Sequence, residues 1–326
     1  MEKAAVIGFG NVALRHRKNL KILFPDVEVF GMSASGRTLT ETVDAVDRIF
    51  TNIGDLILAQ PDIVIVASPS TFHAQHVVEL IKNNIAVLVE KPLAATTGQC
   101  KSIIEAAAGR GSMVAIGYCL RYLSSASRMK DLIEERAIGE IYNTFATVGQ
   151  YLPSWRTDVD YKRTVTARKE LGGGVLLELS HELDYLFWLL GELSFQHAIL
   201  RGSSELDIDV EQIADIVCHS EVGGVCNIHM DFLQKHAHRQ CSFVGSKGRL
   251  DWNLIENSIT LSNENGVSVV FCEPDWDRNN MYLELLLDFL GRVSGNRNRC
   301  ASPTEGLKVV RLVEEIKYKA ARSKSA

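Results

Sequence analysis

A carboxylate and an ammonium close an apolar run, "AVLVEK", and a proline follows them: Glu90, Lys91, Pro92. A lysine at the tip of a buried strand, partly desolvated, gives up its proton more readily than one in water. Such a group can exchange a proton with a substrate hydroxyl, and Pro92 would hold the loop that carries it. A second cluster lies in "GGGVLLELSHELDYLFWLL", where Glu178, His181 and Asp184 recur at intervals of three. On a single helix that spacing puts them on one face. Polar side chains are costly in an otherwise apolar helix, and histidine suits proton transfer near neutral pH. Taken singly, Glu90 could be one half of a strand-end ion pair, and His181 a core histidine held by Asp184. Taken together, Lys91, His181 and Glu178 form a candidate catalytic set.

Proton transfer alone does not name a reaction, but the start of the chain adds to it. "VIGFGNVALRH" reads Gly8-x-Gly10-x-x-Ala13 after a strand-like run and at the opening of a helix-like one. Glycines at such a junction let backbone approach a pyrophosphate, and the helix N-terminus favours its charge. Gly8, Gly10, Asn11 and Val12 are therefore candidate dinucleotide contacts. About 20 residues further on, an acidic side chain would bind the adenosine ribose of NAD. Here "FGMSASGR" has no Asp or Glu from Phe30 to Arg37. Ser33, Ser35 and Arg37 offer hydroxyls and a cation suited to a 2′-phosphate, so NADP(H) is favoured over NAD(H). Ser68, Pro69 and Ser70 form a turn after another strand-like run, with His73 just inside the next helix. Ligands lie at that edge in doubly wound sheets, which adds these residues, with Glu90 and Lys91, to the cofactor set. Hydride would then move at the nicotinamide while Lys91 handles the proton.

These groups need elements to position them. The first 118 residues alternate short apolar runs with helix-like stretches such as "NVALRHRKNLKILF" and "TFHAQHVVELIKNN". Six such runs imply an α/β domain with a doubly wound parallel sheet. After that the rhythm changes. A helix, a long strand, the glycine-opened helix, six further β segments and two closing helices read as an α+β domain with a mainly antiparallel sheet. The expected division is 1–118 for the dinucleotide and 119–326 for substrate and oligomer contacts. With 326 residues, the chain can bury two cores. Its 35 basic and 40 acidic residues leave a formal net charge of −5 and no long basic run, so nucleic acid is not an expected partner. Seven cysteines without a C-x-x-C favour free thiols in a reducing compartment. No secretory signal opens the chain and no run suits a bilayer, which points to the cytoplasm and away from membranes. His73-x-x-His76 lacks a third ligand, and His229, Asp231, His236 and His238 suit an oligomer face better than a metal, so no metal is expected.

The glycine turn, "EKP" at 90–92, "GYCLRY" at 117–122 and the "GGG…E…H…D" helix together resemble the Gfo/Idh/MocA oxidoreductases, the glucose–fructose oxidoreductase and inositol dehydrogenase family, over nearly the whole chain. The resemblance implies a Rossmann domain followed by an open-faced sheet that builds homodimers or homotetramers. It also implies pyranose, cyclitol, nucleotide-sugar or related cyclic substrates, with Lys91 and His181 as the catalytic pair. Two positions depart from the family pattern. Glu178 stands three residues before His181, where an Asp four before is usual, and Cys119 stands where Asn is usual. "GQYLPSWRTDVDYKRTVTARKELGGG" resembles a branch found in bacterial surface-sugar gene sets. Its Tyr151, Trp155, Arg156, Tyr161 and Arg168, with Arg121 and Asp184, are candidate contacts for a sugar bearing a carboxylate or phosphate. The alternative is a non-catalytic NAD(P)-binding sensor of the same fold.

Overall fold

Strands buried on both faces must be covered on both sides, and the first half of the chain is built that way. The computed structural model describes residues 1–38, 43–155 and 159–323. In chain order the first elements are β1 (Lys3–Ile7), α1 (Asn11–Leu23), β2 (Glu28–Met32), β3 (Arg48–Phe50), α2 (Ile53–Leu58), β4 (Ile63–Val66), α3 (Ser70–Lys82), β5 (Ala86–Val89), α4 (Thr97–Ala106) and β6 (Val114–Ile116). The six strands lie in the order β3-β2-β1-β4-β5-β6, all parallel. Ala4–Ile7, Val64–Val66 and Val87–Val89 are essentially inaccessible to solvent. Each large side chain so buried stabilises the sheet by about 1.5–3 kcal/mol. The order reverses between β1 and β4, the crevice where ligands bind in such sheets.

The remaining elements are α5 (Ser124–Glu134), β7 (Ile141–Gly149), α6 (Val175–Glu178), α7 (His181–Leu190), β8 (Leu193–Arg201), β9 (Ile213–Ser220), β10 (Val225–Asp231), β11 (His238–Gly245), β12 (Gly248–Asn253), β13 (Ser258–Asn263), β14 (Gly266–Cys272), α8 (Asn280–Val293) and α9 (Pro303–Ser323). Eight strands form one sheet, β14-β13-β12-β11-β7-β10-β9-β8. Every pairing is antiparallel except β10 with β7. Alternation gives it one buried face, with Ala146, Ile216, Ile228, Phe243 and Trp252. Helix α5 packs there, and the Trp252 indole donates to Ser125 Oγ at 2.8 Å. The other face carries Phe145, Ile199 and His229, which remain partly exposed. Strand β13 escaped the sequence reading because only Ile259 and Leu261 interrupt its polar residues.

The chain forms two units, 1–119 with 279–310, and 120–278 with 311–326, whereas a single break after residue 118 was expected. The reason is the apolar stripe of α8, where Leu285, Leu286 and Phe289 are buried; the helix packs against α1 and β5 of the first sheet. Ala301 bridges to Ile116 at the end of β6. The glycine-opened helix is also two helices, not one. Leu179 leaves the helical path (φ −96°, ψ 25°) between α6 and α7. Two carboxylates on α7 each meet a guanidinium on another element, Glu182 with Arg239 and Asp184 with Arg121. These pairs tie α7 to elements other than α6.

On the open face of the second sheet, His229 stands between Asp215 (2.6 Å) and Asp231 (3.0 Å). The hydrogen bond to Asp231, opposed by partial burial and reinforced by Asp215, raises the imidazole pKa from 6.5 to about 8. A folded value above the unfolded one stabilises fully below pH 6.5, and the contribution fades as pH rises through about 8. His229→Asn should therefore lower the melting temperature most below pH 6.5 and least above pH 8. Paired thermal scans across that range would show it, and a pH-independent difference would refute the assignment.

Candidate functional site

The strand ends of the first unit finish flush. Ile7, Val66 and Val89 lie side by side in register. Ala67 N–H donates to the Ile7 carbonyl and Glu90 N–H to the Val66 carbonyl, each at 2.8 Å. Beyond that line the chain becomes accessible at Phe9–Gly10, at Ala67–Pro69 and at Glu90–Lys91. Gly8 sits at φ +124°, and a Cβ there would lie 2.3 Å from the Ala67 carbonyl oxygen. No side chain fits. A Cβ on Gly10 would meet nothing within 4 Å, so the helix start is open. Helix α1 begins at Asn11 and Val12 with no side-chain cap and no acidic residue in its first turn. Its N–H groups are left to an anion. The hydroxyls of Ser68 and Ser70, at the neighbouring turn, are buried with no hydrogen-bond partner among the described residues. These features fit a dinucleotide's pyrophosphate and sugar.

Ser33 Oγ accepts the Arg37 N–H at 2.8 Å and closes a turn after β2, while Ser35 and Arg37 are exposed. His73 is buried, its ring nitrogens 2.9 Å from the Pro92 carbonyl and 2.8 Å from that of Ser68. Burial pushes its pKa down, and the two carbonyls with the charge of Glu90 only partly offset this. His73 thus ties the Ser68 turn to the loop after Lys91, whose bond to Pro92 is cis. Glu90 is a fixed anion. Burial pushes its carboxyl up, but the hydrogen bond and charge of His16, with the charge and N–H of Lys91, outweigh this and hold it below its ordinary value. The His16 partner was missed in the sequence. Its signal was a polar residue on the face of α1 that also carries Ala13, Arg17 and Leu20, all buried.

In the second unit, residues 173–186 are buried except two, Glu178 and His181, which are half-buried. Glu178 ends α6 and accepts from Thr166 Oγ1 at 3.2 Å; His181 opens α7. The break therefore changes the spacing argument but leaves these two side chains as the ones that reach solvent. Asp184 and Arg121 do not reach it. They form a bidentate pair at 3.0 and 2.7 Å, each about 2% exposed or less. The Arg121 guanidinium also lies 5.8 Å from the Trp188 ring centre. The loop before α6 is laced to its surroundings. Lys235 lies 3.4 Å from the centre of the Tyr151 ring. The Trp155 indole donates to the Gln150 carbonyl and stands edge-on to Phe232. The Tyr161 hydroxyl donates to the Leu206 carbonyl, and Arg168 pairs with Glu170. Arg156 lies outside the described residues.

A pair as buried as Arg121–Asp184 leaves an uncompensated charge when one partner is removed. Asp184→Ala should cost about 3–5 kcal/mol in denaturant unfolding. A midpoint unchanged from wild type, with only substrate affinity reduced, would make Asp184 a ligand contact instead.

Comparison with known proteins extends this geometry. Residues 3–118 match the oxidoreductase family with an NAD-binding Rossmann fold named GFO/IDH/MocA, and residues 126–251 match that family's C-terminal domain. The chain is 24% identical over 296 residues to the 1,5-anhydro-D-fructose reductase of Ensifer adhaerens, covering 86% of this chain and 84% of that one. It is 24% identical to the D-glucoside 3-dehydrogenase of Escherichia coli K12, covering 96% and 94%. Levoglucosan dehydrogenase, solved with NADH and levoglucosan, superposes with a TM-score of 0.82 over 98% of this chain and 97% of that one, at 18% identity. No helix among the described residues is long and apolar enough to cross a membrane. Matches that run through most of both units, and not the glycine turn alone, make this chain a member of the GFO/IDH/MocA oxidoreductase family.

Proposed function

We propose that the enzyme oxidises a ring hydroxyl, or reduces the matching ketone, of a sugar, nucleotide sugar or related cyclic polyol. The observation that carries this reading is Lys91, two residues beyond a strand end that is flush with an open glycine turn. The dinucleotide supplies or accepts the hydride when bound. Lys91 Nζ takes the proton from the reacting hydroxyl in the oxidative direction and returns it to the carbonyl oxygen in the reverse. His181 is the second proton-transfer group, and Glu178, steadied by Thr166, orients it or the substrate. Lys91→Ala should lower turnover by about 10²–10⁴-fold on whichever member of a pyranose, cyclitol and keto-sugar panel is active. Near-normal turnover at saturating cofactor would remove Lys91 from the reaction.

In the same reading the cofactor is NADP(H). No acidic side chain lies between Phe30 and Arg37. Ser35 and Arg37 are exposed, and Ser33, while accepting from Arg37 N, keeps its own proton to donate. The 1,5-anhydro-D-fructose reductase and D-glucoside 3-dehydrogenase names of the relatives support a sugar substrate, and the aromatic and cationic loop from Tyr151 to Arg168 suits a ring with an acidic substituent. The exposed Phe145 and Ile199 on the open sheet face support pairing of two copies there. None of the seven cysteines is in a disulfide, in keeping with a cytoplasmic enzyme. Titrating the protein with NADPH and NADH, by nicotinamide fluorescence, should give tighter binding of NADPH, and Arg37→Ala should narrow the gap. Tighter NADH binding would overturn the 2′-phosphate assignment and leave the oxidoreductase in place.

A further inference from the structure

We propose that two copies of this chain pair across the open face of the second sheet, and that the pairing holds only while His229 carries its proton. The inference deepens the pairing suggested above and rests on it. Strand alternation assigns the face its residues. On the eight strands it presents neither lysine nor glutamate among the described residues. Those two residue types are depleted where proteins meet, while arginine is enriched there. Apolar side chains stand on the same face in water. Phe145 on β7, Ile199 on β8, and Val267 and Val269 on β14 are each 45% exposed or more.

The charges of this face are paired within it. Arg201 of β8 donates to Asp215 of β9 at 2.7 Å. His229 of β10 stands directly across from Asp215, with Nδ1 2.6 Å from Asp215 and Nε2 3.0 Å from Asp231. Both partners are carboxylates, and only an imidazolium has an N–H for each. Asp231 also accepts from the Leu233 and Gln234 N–H groups and from the Gln234 amide. On the other side of His229, Thr147 of β7 brings no charge. Further along the face, Arg249 donates to Asp251 at 2.7 and 2.8 Å. Burial works against the ionisation of Asp215, Asp231 and Asp251, but the hydrogen bonds they accept outweigh it and hold all three below their ordinary value. Arg201, Arg249 and a protonated His229 then balance the three carboxylates.

A face that is neutral and internally paired complements a second copy of itself about a two-fold axis. Loss of the His229 proton leaves one carboxylate on each face without its counter-charge. The contact would bring both surplus charges into one desolvated layer, where they repel and lack water. The proton-bound form is therefore the one that associates. The imidazole keeps its proton up to about pH 8, so the contact is complete below that pH and is lost above it.

Sedimentation equilibrium of the full chain, from about pH 7 to about pH 9, measures this without substrate or cofactor. The dissociation constant of the wild-type dimer should rise about 10–100-fold across that range. His229→Gln, neutral throughout, should pair weakly at both ends. Asp215→Asn, which leaves Arg201 and Arg249 balanced by Asp231 and Asp251 without an imidazolium, should stay paired at the alkaline end. His197, His219 and His238 lie on the same face. They remain in both variants, so a wild-type pH dependence that survives in His229→Gln would belong to them and overturn the proposal. A wild-type constant that does not change with pH would overturn it too, as would Asp215→Asn dissociating as the wild type does. If His229→Gln does not fold, Asp215→Asn decides. The underlying reading fails separately: a wild-type protein that is monomeric at the neutral end, or a dimer that Phe145→Asp leaves intact, would show that copies do not pair across this face.

Discussion

At one point in the first unit two stretches of backbone come so close that no side chain fits between them. A Cβ on Gly8 would stand 2.3 Å from the carbonyl oxygen of Ala67. This approach brings the turn after β1 against the turn after β4, at the place where the sheet order reverses. Beside it lie the open helix start at Gly10 and the buried hydroxyls of Ser68 and Ser70, and the register of β5 on β4 brings Glu90 and Lys91 out at the same edge. His73 then joins the Ser68 turn to the carbonyl of Pro92. This edge thus rests on backbone geometry, and the side chains proposed to act there stand on it.

The second unit solves its positioning problem with buried charge. Glu182 and Asp184 are inaccessible, and each is gripped by a guanidinium through two hydrogen bonds. Such pairs add little net stability compared with apolar residues, but a misplaced partner is heavily penalised. They therefore specify the rotation of α7 more than they strengthen it. The half-buried His181, at the first residue of that helix, inherits its orientation from this constraint.

Much of this was legible in the sequence. Runs such as "DIVIVASP", apolar on both faces, announced the parallel strands, and the glycine spacing announced the helix start. Family resemblance, expressed in "EKP" and the glycine-opened helix, pointed to an oxidoreductase, and the family matches agree. What escaped has a common cause. Periodicity reports which face of an element is apolar but not which distant group it meets. Nothing local distinguishes an Asp184 aimed at a ligand from one aimed at Arg121, sixty-three residues away. The same holds for His16 and Glu90, and for the break at Leu179, which depends on partners in other elements. Strand β13 was hidden differently, by a polar composition that an edge-ward hairpin tolerates.

The return of residues 279–310 to the first unit bears on how the chain is made. A ribosome that has delivered everything up to Arg278 has supplied all six strands of the first sheet and the whole of the second. It has not yet supplied α8, whose Leu285, Leu286 and Phe289 complete the core of the first unit. Synthesis at about 5–20 residues per second leaves that apolar surface waiting while the entire second sheet emerges. The unit begun first is therefore finished after the strands of the other, and through that interval the flank that α8 covers stays open to water.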